Sequence, residues 1–263
     1  MPIQLGRRHV TQRDYNINRT FGLGWGEPAY GYNYAEKILA LFGSSIVSYL
    51  PLWELSGTVA DDISKNGNNG AYTAVTLNNQ GIGDGHSAAS FDGSTSFTNI
   101  YSAALAAGVN AAEITLMAWA KVANAGVWTD GTARHILRLN RSDTSVIMIR
   151  RSSTNNQVQA ELRGGAGAVH DINSALSSLA WFHMALTVSE SADAMKSYIN
   201  GQQSGSTVTG LNASGGVLNS AGANIGAQET PPVLVWSGNL AHALLLNRAA
   251  SPAEIAEAYR MAF

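Results

Sequence analysis

The stretch WFHMALTVSESADAMKSYINGQQSGS, Trp181 to Ser206, decides the fold. Phe182, Met184, Leu186 and Val188 recur at every second position, the period of a strand that lays one face on a core. Asn200-Gly201 then offers two adjacent residues that tolerate positive φ, which a type I′ turn requires, so the chain doubles back as a hairpin. The same period extends outward in both directions. ITLMAWAKV places Ile114, Leu116, Ala118, Ala120 and Val122 on one face, and QVQAELR sets Val158, Ala160 and Leu162 against Gln157, Gln159, Glu161 and Arg163. HILRLN, SVIMIRR and LAHALLLN add further strands, about ten to fourteen in all. AEKILALF reads as a short helix with Ile38, Leu39 and Phe42 on one side. SPAEIAEAYRMAF closes the chain as a clear helix: Ser251 is the N-cap, Pro252 the first helical residue, and Glu254 completes a capping box. Many strands with one closing helix predict an all-β, two-sheet antiparallel sandwich, because each antiparallel sheet must bury a face against the other.

Composition narrows the partners. Of 263 residues, 45% are hydrophobic and only 13% charged, and the formal charge of −2 gives nucleic acid or an anionic membrane no basic surface to bind. The absence of cysteine removes disulfides and thiolate metal sites. The first twenty residues lack the apolar core of a signal peptide, and no run is long enough to span a membrane, so a leaderless route or release by lysis is the expectation. Residues 1–34 differ from the rest: four arginines precede FGLGWGEPAYGYNY, with Phe21, Trp25, Tyr30, Tyr32 and Tyr34. This segment reads as an extended arm, packed along the domain 35–263 or docked on a neighbouring subunit.

Five segments in order resemble the laminin-G-like modules of the concanavalin A-like lectin/glucanase superfamily. They are ILALFGSSIVSYLPLWELSGTVADDISKNGNNGAY, AASFDGSTSFTNI, ITLMAWAKV, WFHMALTVSESADAMKSYINGQQSGS and WSGNLAHALLLNRAASPAEIAEAYR, spanning Ile38 to Tyr259. The resemblance implies a jelly-roll topology. The layout of arm plus module is also similar to tail and capsid-associated proteins of bacteriophages.

Asp62, Ser64 and Asn66, followed by Gly67, have the spacing of the first half of an EF-hand calcium loop. The second half is missing, since Thr73 stands where a bidentate Glu belongs. The resemblance implies that the turn shares calcium with acids of the last sandwich strand, but those positions hold Ala241 and His242. A turn whose Asn and Asp side chains bond their own backbone is therefore the leading expectation, with calcium as the alternative.

Catalysis finds no constellation. Glucanases of the superfamily carry Glu-x-Asp-x-Glu on one strand, and nothing here has that spacing. Glu254 and Glu257 lie on the terminal helix, and Glu161 stands alone among polar residues read as exposed. There is no Gly-x-Ser-x-Gly, and the six histidines include no pair at the i, i+4 spacing of a helical zinc site. For a sugar pocket, Trp128 beside Asp130 in a glycine-containing loop and Trp236 are the stacking candidates; Trp53, Trp119 and Trp181 read as packing residues. Arg134, Arg138, Arg141, Arg150, Arg151 and Arg163 gather basic charge that faces either solvent or an acidic neighbour or glycan. The expectation is a non-enzymatic module of a virion, a capsid decoration or tail-associated protein that joins protein subunits, its own copies included, through its arm. It would be found in the virion or outside the cell after release. The alternative is a carbohydrate-binding or adhesion module, with calcium assisting.

Overall fold

The computed structural model describes residues 33–110, 112–141, 145–164, 169–211 and 218–263. Tyr34–Phe263 form one unit. In chain order its elements are α1 (Tyr34–Phe42), β1 (Ile46–Leu50), β2 (Val59–Ala60), β3 (Gly70–Thr73), β4 (Thr76–Gln80), β5 (Ser87–Asp92) and β6 (Phe97–Asn99). There follow α2 (Ala103–Gly108), β7 (Glu113–Val122), β8 (Arg134–Arg141), β9 (Val146–Arg151), β10 (Gln157–Arg163) and β11 (Val169–Ala175). The last are β12 (Phe182–Ser189), β13 (Ala194–Ile199), β14 (Gln202–Val208), β15 (Leu218–Ile225), β16 (Ser237–Leu246) and α3 (Pro252–Arg260). All pairings are antiparallel. The first sheet runs β14-β13-β12-β7-β16-β5-β4, with β1 also on β16; the second runs β11-β10-β9-β8-β15-β6-β3-β2. The expected two-sheet sandwich with a short C-terminal helix is the observed one.

The period-two residues do what their pattern demands. Ile114, Leu116, Ala118 and Ala120 of β7, and Phe182, Met184, Leu186 and Val188 of β12, enter the core between the sheets together with Ile147, Ile149, Val158, Ala160 and Leu162 from the second sheet. The intervening residues of the first sheet are buried as well. Met117, Trp119, Ala185, Leu244 and Leu246 pack under Ile38 and Phe42 of α1 and Ile255 and Ala258 of α3. The first sheet is therefore covered on both sides, which is why β12 is buried at every position.

Trp119 fixes this third layer. Its indole N–H donates to the Tyr34 hydroxyl at 2.9 Å, and its ring stacks on Tyr259 of α3 at 5.6 Å between centroids. A buried tryptophan needs a partner for its N–H, and Tyr34 provides it from the first residue of α1. Tyr34 is thus a core residue of the sandwich unit, which corrects its assignment to the arm; Phe21, Trp25, Tyr30 and Tyr32 lie outside the described residues.

One strand carries two partners on one edge. The first half of β16 pairs with β5, from Ser237 to Leu240, and the second half with β1, from Ala243 to Leu246. Between them the register against β7 slips from Ala241 to Leu244, and His242 takes φ of 52° with its amide N–H donating to Pro51 O at 3.0 Å. A left-handed conformation costs a histidine about 1 kcal/mol or more. The side chain is held in compensation: Nδ1 lies 2.8 Å from the Tyr49 hydroxyl and Nε2 3.0 Å from Asp84 Oδ2. The expected reading of His242 as a strand residue replacing a metal-binding acid becomes a bulge residue that ties β16 to β1 and to the β4–β5 turn.

His183 on β12 and His135 on β8 are also buried, and neither ring of these two has a hydrogen-bond partner among the described residues. Burial pushes all three imidazoles below their ordinary value, His183 to about 3. The unfolded chain takes up these protons near pH 6.5 while the folded chain does not, so stability is full above that pH and falls as acid is added. For His183 the loss continues until about pH 3 is reached. Urea unfolding from pH 6.5 down to 4.5 is expected to show His183 contributing a drop in stability of roughly 1.4 kcal/mol per pH unit. His183→Leu should remove one proton from that slope.

Candidate functional site

The turn after β2 uses its polar side chains on the backbone. Asp62 Oδ1 accepts the amide N–H of Tyr49 and of Ser64, both at 2.9 Å, and Oδ2 accepts that of Asn68 at 2.8 Å. Ser64 Oγ accepts from Asn66 N at 3.3 Å, and Asn66 Nδ2 donates to the carbonyls of Ile46 at 2.8 Å and Val47 at 3.1 Å. Lys65 and Gly67 supply the positive φ. Asp62 and Asn66 thus bind the turn to β1 while Ser64 braces it internally, and among the described residues no cluster of three His, Asp or Glu has the spacing of a metal site. Asp62→Asn turns one acceptor oxygen into a donor facing N–H groups. It should lower stability by about 2 kcal/mol, with the same melting temperature in calcium and in EDTA, as read by calorimetry.

The two tryptophans proposed as sugar platforms are core residues. A short 3₁₀ turn, Ala125–Trp128, started by the Asn124 side chain accepting from Gly126 N, folds Trp128 back under the sheets. There its indole N–H donates to Ser178 O at 2.9 Å, and both Trp128 and Trp236 pack beside Phe182. Trp128 is 1% and Trp236 0% exposed, so no sugar ring can stack on either. Asp130 is likewise committed. Its Oδ2 pairs with Arg134 at 2.7 Å, and Oδ1 accepts Thr132 N at 2.9 Å and stands 3.5 Å from the buried Arg151. Desolvation, the largest single influence, pushes the carboxyl up, and its bonds to Arg134 and Thr132 with the charges of Arg134 and Arg151 together hold it below its usual range. It is a clamp across the β8–β9 end, and the sugar-site assignment of Trp128, Asp130 and Trp236 is corrected on these grounds.

The polar chemistry collects instead on the outer face of the second sheet. Strand alternation that sends Val158, Ala160 and Leu162 inward sends Gln159, Glu161 and Arg163 outward, and register aligns them with neighbours. One row crosses the sheet through Asn224, Arg138, Met148, Glu161 and Asp171; the next passes through Arg150, Gln159 and Asn173. These groups interlock. Arg150 Nε donates to Gln159 Oε1 at 2.6 Å and its Nη2 lies 3.2 Å from Glu161 Oε2, while Arg163 Nη2 reaches Glu161 Oε1 at 2.8 Å. Gln159 Nε2 and Asn173 Nδ2 both donate to Asp171 Oδ2, at 2.9 and 2.8 Å. Arg138 Nε donates to Asn140 Oδ1 at 2.9 Å. The segment after β15 borders this face, with Thr230 Oγ1 within 3.4 Å of both Asn99 and Asn224.

Such a face is unusual for a solvent-side sheet surface, where long charged side chains normally stand free. Here Glu161 is 2% and Arg138 8% exposed, and desolvation brings the Arg138 guanidinium down to about 10. Buried ion pairs return little net stability, because desolvating two charges offsets most of their attraction. What they do provide is a rigid set of planar donors and acceptors. Glu161 and Asp171 stand directly opposite each other across β10 and β11. Sequence reading missed this pair because the two lie on different strands and local pattern does not give the register between them. Both oxygens of Glu161 are engaged by guanidinium groups and Asp171 Oδ2 by two amides, so neither carboxylate is set up as a free acid or base.

Comparison with known proteins follows the fold. No match is found among curated proteins. Domain 4 of an extracellular arabinanase from Geobacillus stearothermophilus, solved with arabinotriose, superposes with a TM-score of 0.58 at 15% identity, over 82% of this chain and 98% of that one. The botulinum neurotoxin serotype D binding domain gives 0.59 at 13%, over 83% of this chain and 52% of that one. A Trypanosoma rangeli sialidase in complex with sialic acid gives 0.59 at 16%, over 83% of this chain and 33% of that one. The chain thus spans nearly all of the first, about half of the second and a third of the third, and the likeness is one of fold, shared by binding domains and glycosidases alike. The sequence profile of the concanavalin A-like lectin/glucanases superfamily matches residues 92–256, which cover most of both sheets. The chain belongs to that superfamily.

Proposed function

We propose that the protein is a non-enzymatic carbohydrate-binding module that takes a saccharide on the outer face of the second sheet. The observation that carries this reading is the interlocked array of Arg138, Arg150, Gln159, Glu161, Asp171 and Asn173. Sugar hydroxyls are recognised by planar amides, carboxylates and guanidiniums whose positions are fixed beforehand, because a ligand then loses little to ordering them. Arg138, Arg150 and Arg163 stand against Glu161, Asp171 and Glu229, so the patch is near charge balance and would select a saccharide by hydrogen-bond pattern. The solved relatives with arabinotriose and sialic acid support the class of ligand, each for its own chain.

A glycan panel read by direct binding, then titration of the best binder, tests this. Asp171→Asn keeps the size of the side chain and Arg138→Gln replaces the guanidinium by a shorter planar amide; each should weaken binding about tenfold or more, with EDTA having no effect. A chain that binds nothing on the panel, or variants that bind like the parent, would overturn the reading.

A second reading rests on the aromatic, glycine-rich sequence before Tyr34: a virion component, in the particle or released from the cell, whose arm joins it to neighbouring subunits. A chain beginning at Asn33 keeps Tyr34 and its bond to Trp119. It should melt at the temperature of the full chain and lose self-association in sedimentation. A full chain that sediments as a monomer would remove this reading.

A further inference from the structure

Strands at the margins of both sheets are closed to further pairing, with one exception among the described residues. β4 carries a left-handed residue, Asn78 at φ of 61°, and its register against β5 slips between Thr76 and Asn79. The Asn79 side chain then donates to the carbonyls of Thr76 and Leu77. β14 repeats the device: Gly205 takes φ of 79°, the register against β13 slips, and Gln203 Nε2 donates to Gly205 O. β2 is only two residues long, and on β1 the Tyr49 N–H and the Val47 carbonyl are taken by the side chains of Asp62 and Asn68. An unpaired edge is a template for another strand, and bulges, short strands and covered backbone groups close such templates.

β11 has none of these features. Its seven residues pair with β10 in unbroken register and include no Gly, Pro or Lys. Two bonds show which way its backbone groups point. Leu176 N donates to Asn156 O, so the alternate residues before it, Ser174, Ile172 and His170, face β10. Gln157, opposite Ala175, instead gives its carbonyl to Ser152 N. Val169, Asp171, Asn173 and Ala175 therefore turn their N–H and C=O groups to the open edge, and these four are the exposed residues of the strand.

We propose that β11 pairs antiparallel with β11 of a second copy of this chain, about a two-fold axis at Ile172, joining the second sheets of two chains into one. This register sets Asp171 opposite Asn173 and Val169 opposite Ala175 on each side of the axis. It makes about eight backbone hydrogen bonds between the chains and covers Val169, which is 51% exposed. Asp171 Oδ2 already accepts from Gln159 and Asn173, which leaves Oδ1 to accept from the Asn173 amide of the second copy. A register centred on Asp171 would face like charges, and one centred on Asn173 would carry Val169 past the end of the partner strand. This self-complementarity selects a second copy over an unrelated strand. The dimer stands independently of the saccharide reading. Where both hold, the polar faces of two chains continue across the seam, and one glycan engages two modules.

Sedimentation velocity of the full chain from roughly 1 to 100 µM should show a monomer–dimer equilibrium, with a dissociation constant on the order of micromolar for so small an interface. Amide hydrogen exchange should slow at Asp171, Asn173 and Ala175 as concentration rises, because these N–H groups face water in the monomer. Ala175→Pro removes an N–H that β10 does not use and should weaken the dimer about tenfold or more. Val169→Lys, at an exposed position, should act in the same direction, and it keeps the test open where the proline variant fails to fold. A full chain that stays monomeric, or a dimer in which those amides still exchange freely, would overturn the proposal. So would a dimer unchanged in both folded variants, or one lost on removal of residues 1–32, which would assign association to the sequence before Tyr34. Glycan binding is read separately, so failure of either leaves the other standing.

Discussion

Every side chain at the centre of the first sheet must be kept from water whichever way it points. β7, β12 and the second half of β16 present apolar groups to both sides, one set meeting the second sheet and the other meeting α1 and α3. A sandwich of two sheets alone would leave Met117, Trp119, Leu244 and Leu246 wet. Each large apolar side chain so exposed would cost about 1.5–3 kcal/mol. The helices are therefore part of the fold's core, and the Tyr34–Trp119 hydrogen bond places the first of them.

Local features of this architecture were legible in the sequence. The inward residues of β7, β10 and β12 follow from alternation, and the hairpin at Asn200-Gly201, with φ of 50° and 77°, follows from residues that accept that conformation. The capping box of α3 has both of its reciprocal bonds. These depend on neighbours a few residues away. The misplaced assignments concern the direction of side chains that local pattern does not set. Trp128 lies in a loop that tertiary contact folds inward, and Trp236 sits where the chain re-enters the core, so an exposed platform was read where a core ring stands. Glu161 was read as solvated because its strand is polar on that side, yet Arg150 and Arg163 close over it.

The two faces consequently differ in what they can do. On the first sheet, apolar contact with the helices takes up the outer face of β7, β12 and β16. On the second, the outer side chains bind one another through charge-assisted bonds, which are short and directional, and this holds their donors and acceptors at fixed spacing. A surface fixed in this way presents one hydrogen-bond pattern at a set spacing. The loops at the β8–β9 end, by contrast, are clamped through Asp130 and Arg151 and contribute to rigidity.

The shared edge of β16 bears on how the chain comes to be folded. Its partners β1 and β7 are made before it, with Ile46 two hundred residues ahead of Leu246, which it meets. Until the last strand emerges, the first sheet has a gap at its centre, and β1, β5 and β7 each present an unpaired edge. Nascent chains ending before residue 237 thus lack the strand that joins three others. High contact order of this kind makes folding slow, and it places completion of the first sheet after β16 has been made.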